Sequence, residues 1–278
     1  GDLRNPPDWF PDQHPAPPEV VIAPTAIPPS AVSIVTKPPA PAVAVRIAEF
    51  IGASKKSFTV CFIGAGVPAL PANACPATTL KQAAEASLGG KPLGDGGDPA
   101  PAIALPGGRH WVRGLFSGGS LSAEAQDIFH RGGEAVSSNV PIPGAARLAD
   151  GGAGHRMIDL GSDEYTSGRP HPMIDPSVRD DALHAALADP SVGIVIVDVV
   201  LGFGAHDDPA GHIVRSLHGR TRDLPVIIAS VTGTDEDPQG RRHQVATLRE
   251  AGIRVAPSNA DTASFALACI RGARDRNV

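Results

Sequence analysis

The sequence is poor in aromatic residues, in cysteine and in net charge, and each shortage excludes a class of protein. Aromatics are only 4% of the 278 residues, so a core has to be assembled from Ala, Val, Ile and Leu. That is the composition of parallel strands covered by helices on both faces. The three cysteines, Cys61, Cys75 and Cys269, are too few and too scattered for a disulfide framework or a metal cluster, which points to a cytosolic protein. A net charge of −5 leaves no basic footprint, so nucleic acid is not an expected partner. No apolar run reaches the roughly 18 residues that span a bilayer, and no charged-then-apolar leader opens the chain, so no membrane partner is expected either. The first residue is Gly1 rather than Met, as expected of a processed product or a fragment.

Proline and glycine, by contrast, are plentiful and divide the chain. Residues 1–30 are thick with proline, which locks φ and removes a backbone donor, so they read as an extended tail or linker, or else as a docking segment. Residues 31–88 read as a partial flavodoxin-like α/β unit: strand 31–35, helix 42–53, strand 57–65 and helix 78–88. Two strands are too few for an independent doubly wound domain, so this unit is either the back half of such a domain or a layer added to the next one. Residues 89–109 are a Gly/Pro/Asp linker.

From residue 110 to 278 strands and helices alternate. Strands are predicted at 110–116, 135–140, 155–160, 192–200, 224–230 and 253–257, and helices at 121–132, 178–189, 209–219, 239–250 and 261–271. Five or six parallel strands separated by helices make a doubly wound, flavodoxin-like α/β domain, whose ligands bind beyond the carboxyl ends of the strands.

Four strand-end loops carry polar residues that suit such a site. Ser117-Gly118-Gly119-Ser120 lies between a strand and a helix, where small residues let backbone amides approach an anion at a helix N-terminus; a plain tight turn is the bland alternative. The long loop 159–176 brings Arg169 and His171, which could grip a carboxylate or phosphate, although its acids could simply pair with Arg169. Asp198 interrupts an aliphatic strand and so demands a partner or a role. His206 follows it as a candidate acid or base, and with Asp207 and Asp208 it offers donors for a cation, though without metal-motif spacing. Thr232-Gly233-Thr234 ends a further strand and could contact an anion, or its acidic neighbours could cap the next helix. Convergence of four such loops predicts one composite site, with Asp198 and His206 as orienting or acid/base groups and the other named residues as anion ligands.

The segments GLFSGGSLSAEA, HRMIDLGSDEYTSGRPHPMIDP, VIVDVVLGFGAHDDPAG, VTGTDEDPQ and SNAD resemble the FdrA family, which is similar to succinyl-CoA synthetase alpha subunits. The resemblance is strong over residues 110–270 and weaker through the unit before it. It implies a succinyl-CoA-synthetase-like CoA-ligase domain in a multi-subunit, oligomeric enzyme. The substrate would be a small carboxylate or a carbamoyl or acyl phosphate, as in an oxamate carbamoyltransferase of nitrogen catabolism. CoA or a nucleotide is the implied cofactor, other subunits of the complex the implied partners. An acyl-CoA ligase and a non-catalytic scaffold are the alternatives. The sequence departs from the synthetases in lacking the Gly-flanked phosphohistidine loop; His243 sits in a helix-like context instead.

Overall fold

The computed structural model describes residues 31–66, 69–92, 103, 105, 108–148, 153–219 and 224–275; the proline-rich start and most of the expected linker lie outside these residues. Its architecture is α/β, two parallel sheets covered by helices. The smaller sheet comprises β1 (Ala31–Thr36), β2 (Ser57–Phe62) and β3 (Ala74–Ala77), side by side in that order, with α1 (Pro41–Ala53) and α2 (Leu80–Ser87) between and after them. Pro41 opens α1, where its missing donor costs nothing, and the Thr79 hydroxyl caps α2 by accepting from the Gln82 amide at 3.1 Å. Side chains alternate along β2. Phe58, Val60 and Phe62 pack with Ala44 and Ile51 of α1, whereas Cys61 faces Ala77 and Ala83. Burial pushes the Cys61 thiol up to about 11, so it behaves as a small core hydrophobe.

The larger sheet contains β4 (Trp111–Phe116), β5 (Val136–Ser138), β6 (Ala146–Arg147), β7 (His155–Asp159), β8 (Val192–Val200), β9 (Val226–Thr232) and β10 (Arg254–Ala256), in the spatial order β10-β9-β8-β4-β7-β5-β6. That is one strand more than the upper expectation. The addition is β6, two residues too short to register as an apolar run. The helix expected at 178–189 divides into a 3-10 turn at Pro176–Arg179 and α5 (Asp180–Ala188), because Asp175 caps the turn through the Ser177 amide. The remaining helices are α3 (Gly119–Arg131), the short α4 (Asp163–Thr166), α6 (Pro209–Ser216), α7 (Arg241–Glu250) and α8 (Asn259–Asp275).

The alternation of β8 allots one core to each face. Ile194 and Ile196 pack with Phe129 of α3 and Ile270 of α8; Val195, Val197 and Val199 pack with Leu183 of α5, Ile213 of α6 and Leu248 of α7. Strand β8 reads as a continuous aliphatic run because it is buried on both sides.

The two units meet at α3. Ala123 and Ile142 of the larger unit share a cluster with Cys61 and Ile63 of the smaller. The buried Glu124 carboxylate accepts from the Leu80 amide at 2.6 Å and from Asn259 at 2.7 Å, and Lys81 pairs with Asp261 at 2.8 Å. Burial raises the Glu124 carboxyl, and its two donors oppose that shift.

Candidate functional site

The site follows from the order of the strands. The crossover from β4 through α3 runs toward β5, whereas the one from β7 through α5 runs back past β4 to β8. The direction therefore reverses at β4, and the carboxyl ends of β4, β7 and β8 border the crevice where such sheets take ligands.

Asp198, only 1% exposed near the end of β8, lies at the centre of this crevice. Its Oδ1 accepts from the Ser117 amide at 2.7 Å and its Oδ2 from the Gly118 amide at 2.8 Å, so the carboxylate holds the turn between β4 and α3. Arg179, itself 4% exposed, closes the arrangement from the 3-10 turn. Its Nη2 donates to Asp198 Oδ1 at 2.6 Å, to the Asp198 carbonyl at 2.9 Å and to Ser117 Oγ at 2.6 Å. A carboxylate can remain inside an aliphatic sheet only when paired and fully hydrogen-bonded, and these contacts meet that condition. The cradle expected of Ser117 and Gly118 is thus engaged internally: Asp198 occupies the place of an anion. The amides of Gly119 and Ser120, the first two of α3, lie beyond this clamp and have no carbonyl partner within the helix.

Asp159 ends β7 on the other flank. Asn139 fixes it by accepting from its amide and donating to its carbonyl, both at 2.9 Å, while Asp159 Oδ1 accepts from the Gly161 amide at 3.0 Å. Burial raises this carboxyl; the Gly161 amide, Lys37 and His171 pull it down, and Asp198 pushes it up. Two glycines permit the approach. A Cβ at Gly119 would stand 2.5 Å from Asp159 Oδ2, and one at Gly161 would stand 2.5 Å from His171 Nε2 and 2.7 Å from the Ser117 carbonyl. His171 Nδ1 accepts from the Met173 amide at 3.2 Å, which leaves Nε2 as the nitrogen facing the crevice. Between the two units, Lys37, Gly119, Ala123 and Pro141 line a cavity of about 120 Å³.

The other expected site residues sit apart from the clamp. Arg169 is exposed just after α4, where its charge helps lower the Asp175 carboxyl behind the dominant Ser177 hydrogen bonds. The His206 amide donates to the Met173 carbonyl at 2.8 Å, which ties its loop to that of His171; its ring accepts from the Asp208 amide at 3.0 Å and packs edge-on to His212 of α6. Among the described residues no set of His, Cys, Asp or Glu is gathered to hold a metal ion, so His206, Asp207 and Asp208 do not form the cation site their adjacency suggested. Thr232 is exposed at the end of β9, and Gly233 turns there at φ 146°. The Thr234 amide and hydroxyl donate to Asp237 within the loop, and Asp235 accepts from the Arg242 amide in the first turn of α7 at 2.7 Å.

Arg179 and Asn139 escaped the sequence reading. An aspartate in an aliphatic strand announces that a cation must exist, but nothing local identifies which arginine supplies it. Asn139 follows a three-residue strand and carries no motif at all.

The model of the CoA-ligase family matches residues 115–269. The chain is 32% identical over 256 residues to the protein YahF of Escherichia coli (strain K12), an alignment that covers 84% of this chain and 49% of YahF. It is 40% identical over 72 residues to the beta subunit of an ADP-forming succinate–CoA ligase of Methanothermobacter thermautotrophicus, covering 26% of this chain and 18% of that subunit. Among solved structures, the apo dinucleotide-forming acetyl-coenzyme A synthetase 1 of Ca. Korarchaeum cryptofilum matches with a TM-score of 0.41 at 14% identity, over 88% of this chain and 54% of that one. The chain spans about half the length of YahF. No helix of the described residues is long and apolar enough to cross a membrane. Since the family model matches more than half of its residues, the chain belongs to the CoA-ligase family.

Proposed function

We propose that this CoA-ligase-family chain is an FdrA-type subunit of an acyl- or carbamoyl-transferring enzyme, and that it holds a small carboxylate or an acyl phosphate in the crevice at the end of β4. The observation that carries the reading is the buried Arg179–Asp198 pair. It fixes the Ser117-Gly118 turn from which α3 starts, with Asp159 against Gly119 and His171 against Gly161. The first two amides of α3, which have no carbonyl partner within the helix, the helix dipole and the His171 imidazole beside Gly161 are groups that suit a compact anion. Lys37, close enough to lower the Asp159 carboxyl, adds positive charge from the smaller unit. Preorganised donors of this kind stabilise charge that develops during acyl transfer.

The test is transfer between carbamoyl phosphate and oxamate by the assembled enzyme, with and without this chain. Oxalurate formation that depends on the chain supports the proposal; equal formation without it removes the chain from the chemistry. Within the active assembly, Gly161→Ala drives a methyl group against His171 Nε2 and the Ser117 carbonyl. It is expected to weaken carbamoyl phosphate binding by at least about tenfold, the equivalent of roughly 1.4 kcal/mol. His171→Ala leaves the backbone untouched and is expected to weaken binding in the same direction. Unchanged affinity in both variants would place the anion elsewhere.

An acyl-CoA ligase is the second reading, favoured by the family description and by the likeness to a succinate–CoA ligase subunit. It requires an acid-labile phosphohistidine after incubation with labelled ATP. His243, exposed on α7, is the histidine nearest in sequence to the place of the missing loop. Labelling of the chain would move the assignment to this reading. A scaffold that only organises other subunits would show partner binding on size exclusion and no dependence of turnover on Gly161 or His171.

A further inference from the structure

Helix α2 starts without an acid of its own. Its first turn, Leu80-Lys81-Gln82, holds no Asp or Glu, although a carboxylate is most favourable there, beside the unpaired amides and the positive end of the helix. The acid comes from the other unit. Glu124 of α3, only 1% exposed, accepts from the Leu80 amide at 2.6 Å through Oε1. Its Oε2 accepts from Asn259 of α8 at 2.7 Å, and the same Asn259 nitrogen donates to the Leu121 carbonyl at 3.0 Å. One buried carboxylate thus joins α2 of the smaller unit to α3 and α8 of the larger.

The rest of the joint does little to fix its register. Among the buried residues of the shared cluster only Ile63 and Ile142 are larger than cysteine; the others are Cys61, Ala77, Ala83 and Ala123. Apolar contact has no direction, whereas a hydrogen bond fixes both distance and angle. The Lys81–Asp261 pair lies at the surface, where an ion pair contributes little. Helix α2 in turn carries β1: Ser87 hydrogen-bonds Ser33, and the Ile63 amide donates to the Thr36 carbonyl at 2.9 Å at the end of that strand. The next residue is Lys37, which shares the lining of the 120 Å³ cavity with Gly119 and Ala123 of α3.

We infer, resting on the anion site proposed at the end of β4, that Glu124 is a positioning residue: by holding the first turn of α2 on α3 it sets Lys37 beside Gly119, where the ammonium group can meet the anion. The affinity of the full chain for carbamoyl phosphate tests this, with thiol labelling as a second readout. Lys37→Met is expected to weaken binding about fivefold, the scale of one partly exposed charge contact, and Glu124→Ala by a similar factor. The double variant should bind no more weakly than either alone, because Glu124 acts through Lys37; a merely structural glutamate gives losses that add. Glu124→Gln keeps an oxygen for the Leu80 amide and should bind as wild type does.

Labelling reads the joint without any ligand. Cys61 is buried between the units and Cys269 in the core of the larger one, whereas Cys75 is exposed and is replaced by serine for the measurement. Glu124→Ala should raise the rate at which a disulfide reagent labels Cys61 at least about tenfold and leave Cys269 protected. Leu80→Pro breaks the same hydrogen bond from the smaller unit and leaves α3 unaltered. Proline is tolerated at the first position of a helix, and Thr79 before it is already extended. This variant is expected to match Glu124→Ala in both readouts, and it decides the matter if Glu124→Ala also exposes Cys269. Additive losses in the double variant, or unchanged Cys61 labelling, would overturn the inference. So would full affinity in Glu124→Ala and Leu80→Pro beside weakened binding in Gly161→Ala. Full affinity in Gly161→Ala and His171→Ala as well would remove the proposed anion site, and the role of Glu124 with it.

Discussion

Replacing Arg179 with methionine is expected to destabilise the larger unit by about 3–5 kcal/mol, a large share of the ~5–15 kcal/mol that holds a domain together. The loss comes from what the substitution leaves behind. Asp198 is 1% exposed, and its Oδ1 and backbone carbonyl both accept from the guanidinium. Methionine approximates the volume but supplies no donor, so a carboxylate remains in an apolar sheet with only the Ser117 and Gly118 amides. Arg179→Lys keeps the charge on a more compact head group and is expected to lose less. Urea unfolding checks both: the midpoint should fall with the slope m unchanged. A methionine variant within about 1 kcal/mol of wild type would mean that Asp198 does not need its partner, and the clamp that the proposed site depends on would lose its basis.

The second large effect is one of pH. His155, 2% exposed at the start of β7, accepts from the Val112 amide through Nδ1, and the rings of Trp111 and Phe129 pack edge-on against it. Burial is the main reason its pKa is pushed down to about 4, with Arg274 and Arg113 lowering it further and Glu134 opposing. A folded-state pKa below the unfolded value of about 6.5 means that protons bind the unfolded chain first. The stability His155 contributes is complete above pH 6.5, is lost as the pH falls from 6.5 toward 4, and totals about 3 kcal/mol at roughly 1.4 kcal/mol per pH unit. Glu124 and Asp159, whose carboxyls are raised by burial, act with the opposite sign on acidification. The measurement is therefore the difference between wild type and His155→Gln across pH 4–7. The gap should narrow steadily on acidification; parallel curves would show that the imidazole is not held neutral.

The architecture was legible because its strongest signals are local. An unbroken Val/Ile run at 192–200 forms a strand buried on both faces whatever its neighbours are, and Pro41 and Thr79 begin their helices through contacts within one turn. Short elements were not legible: β3 and β6 gain their strand geometry from pairing with β2 and β5, not from any pattern of their own. The long 159–176 loop owes its form to caps, Asp175 on Ser177 and the Ser162 carbonyl on Tyr165, which a reading of it as irregular could not resolve.

Legibility of the site divides in the same way. The loops that end β4, β7 and β8 could be located from sequence, because a doubly wound sheet places strand termini at one end. Which atoms meet there depended on contacts between residues dozens of positions apart. Ser117 finds Asp198 across 81 residues, and Arg179 reaches Ser117 across 62. Only the folded chain could reveal that the carboxylate of Asp198 takes the Ser117 and Gly118 amides of the turn, just before the first two residues of α3.

By itself the sequence determined the α/β class, the succession of strands and helices, and the end of the sheet at which polar loops gather, because hydrophobic period, capping and turn chemistry act over a few residues. The tertiary structure alone decided the strand order that reverses at β4, the partner of Asp198 and the place of β1 at the edge of the small sheet. Each of these depends on which distant segments share a surface, and a buried charge or an open backbone edge acquires its energetic meaning only when its neighbours are in place.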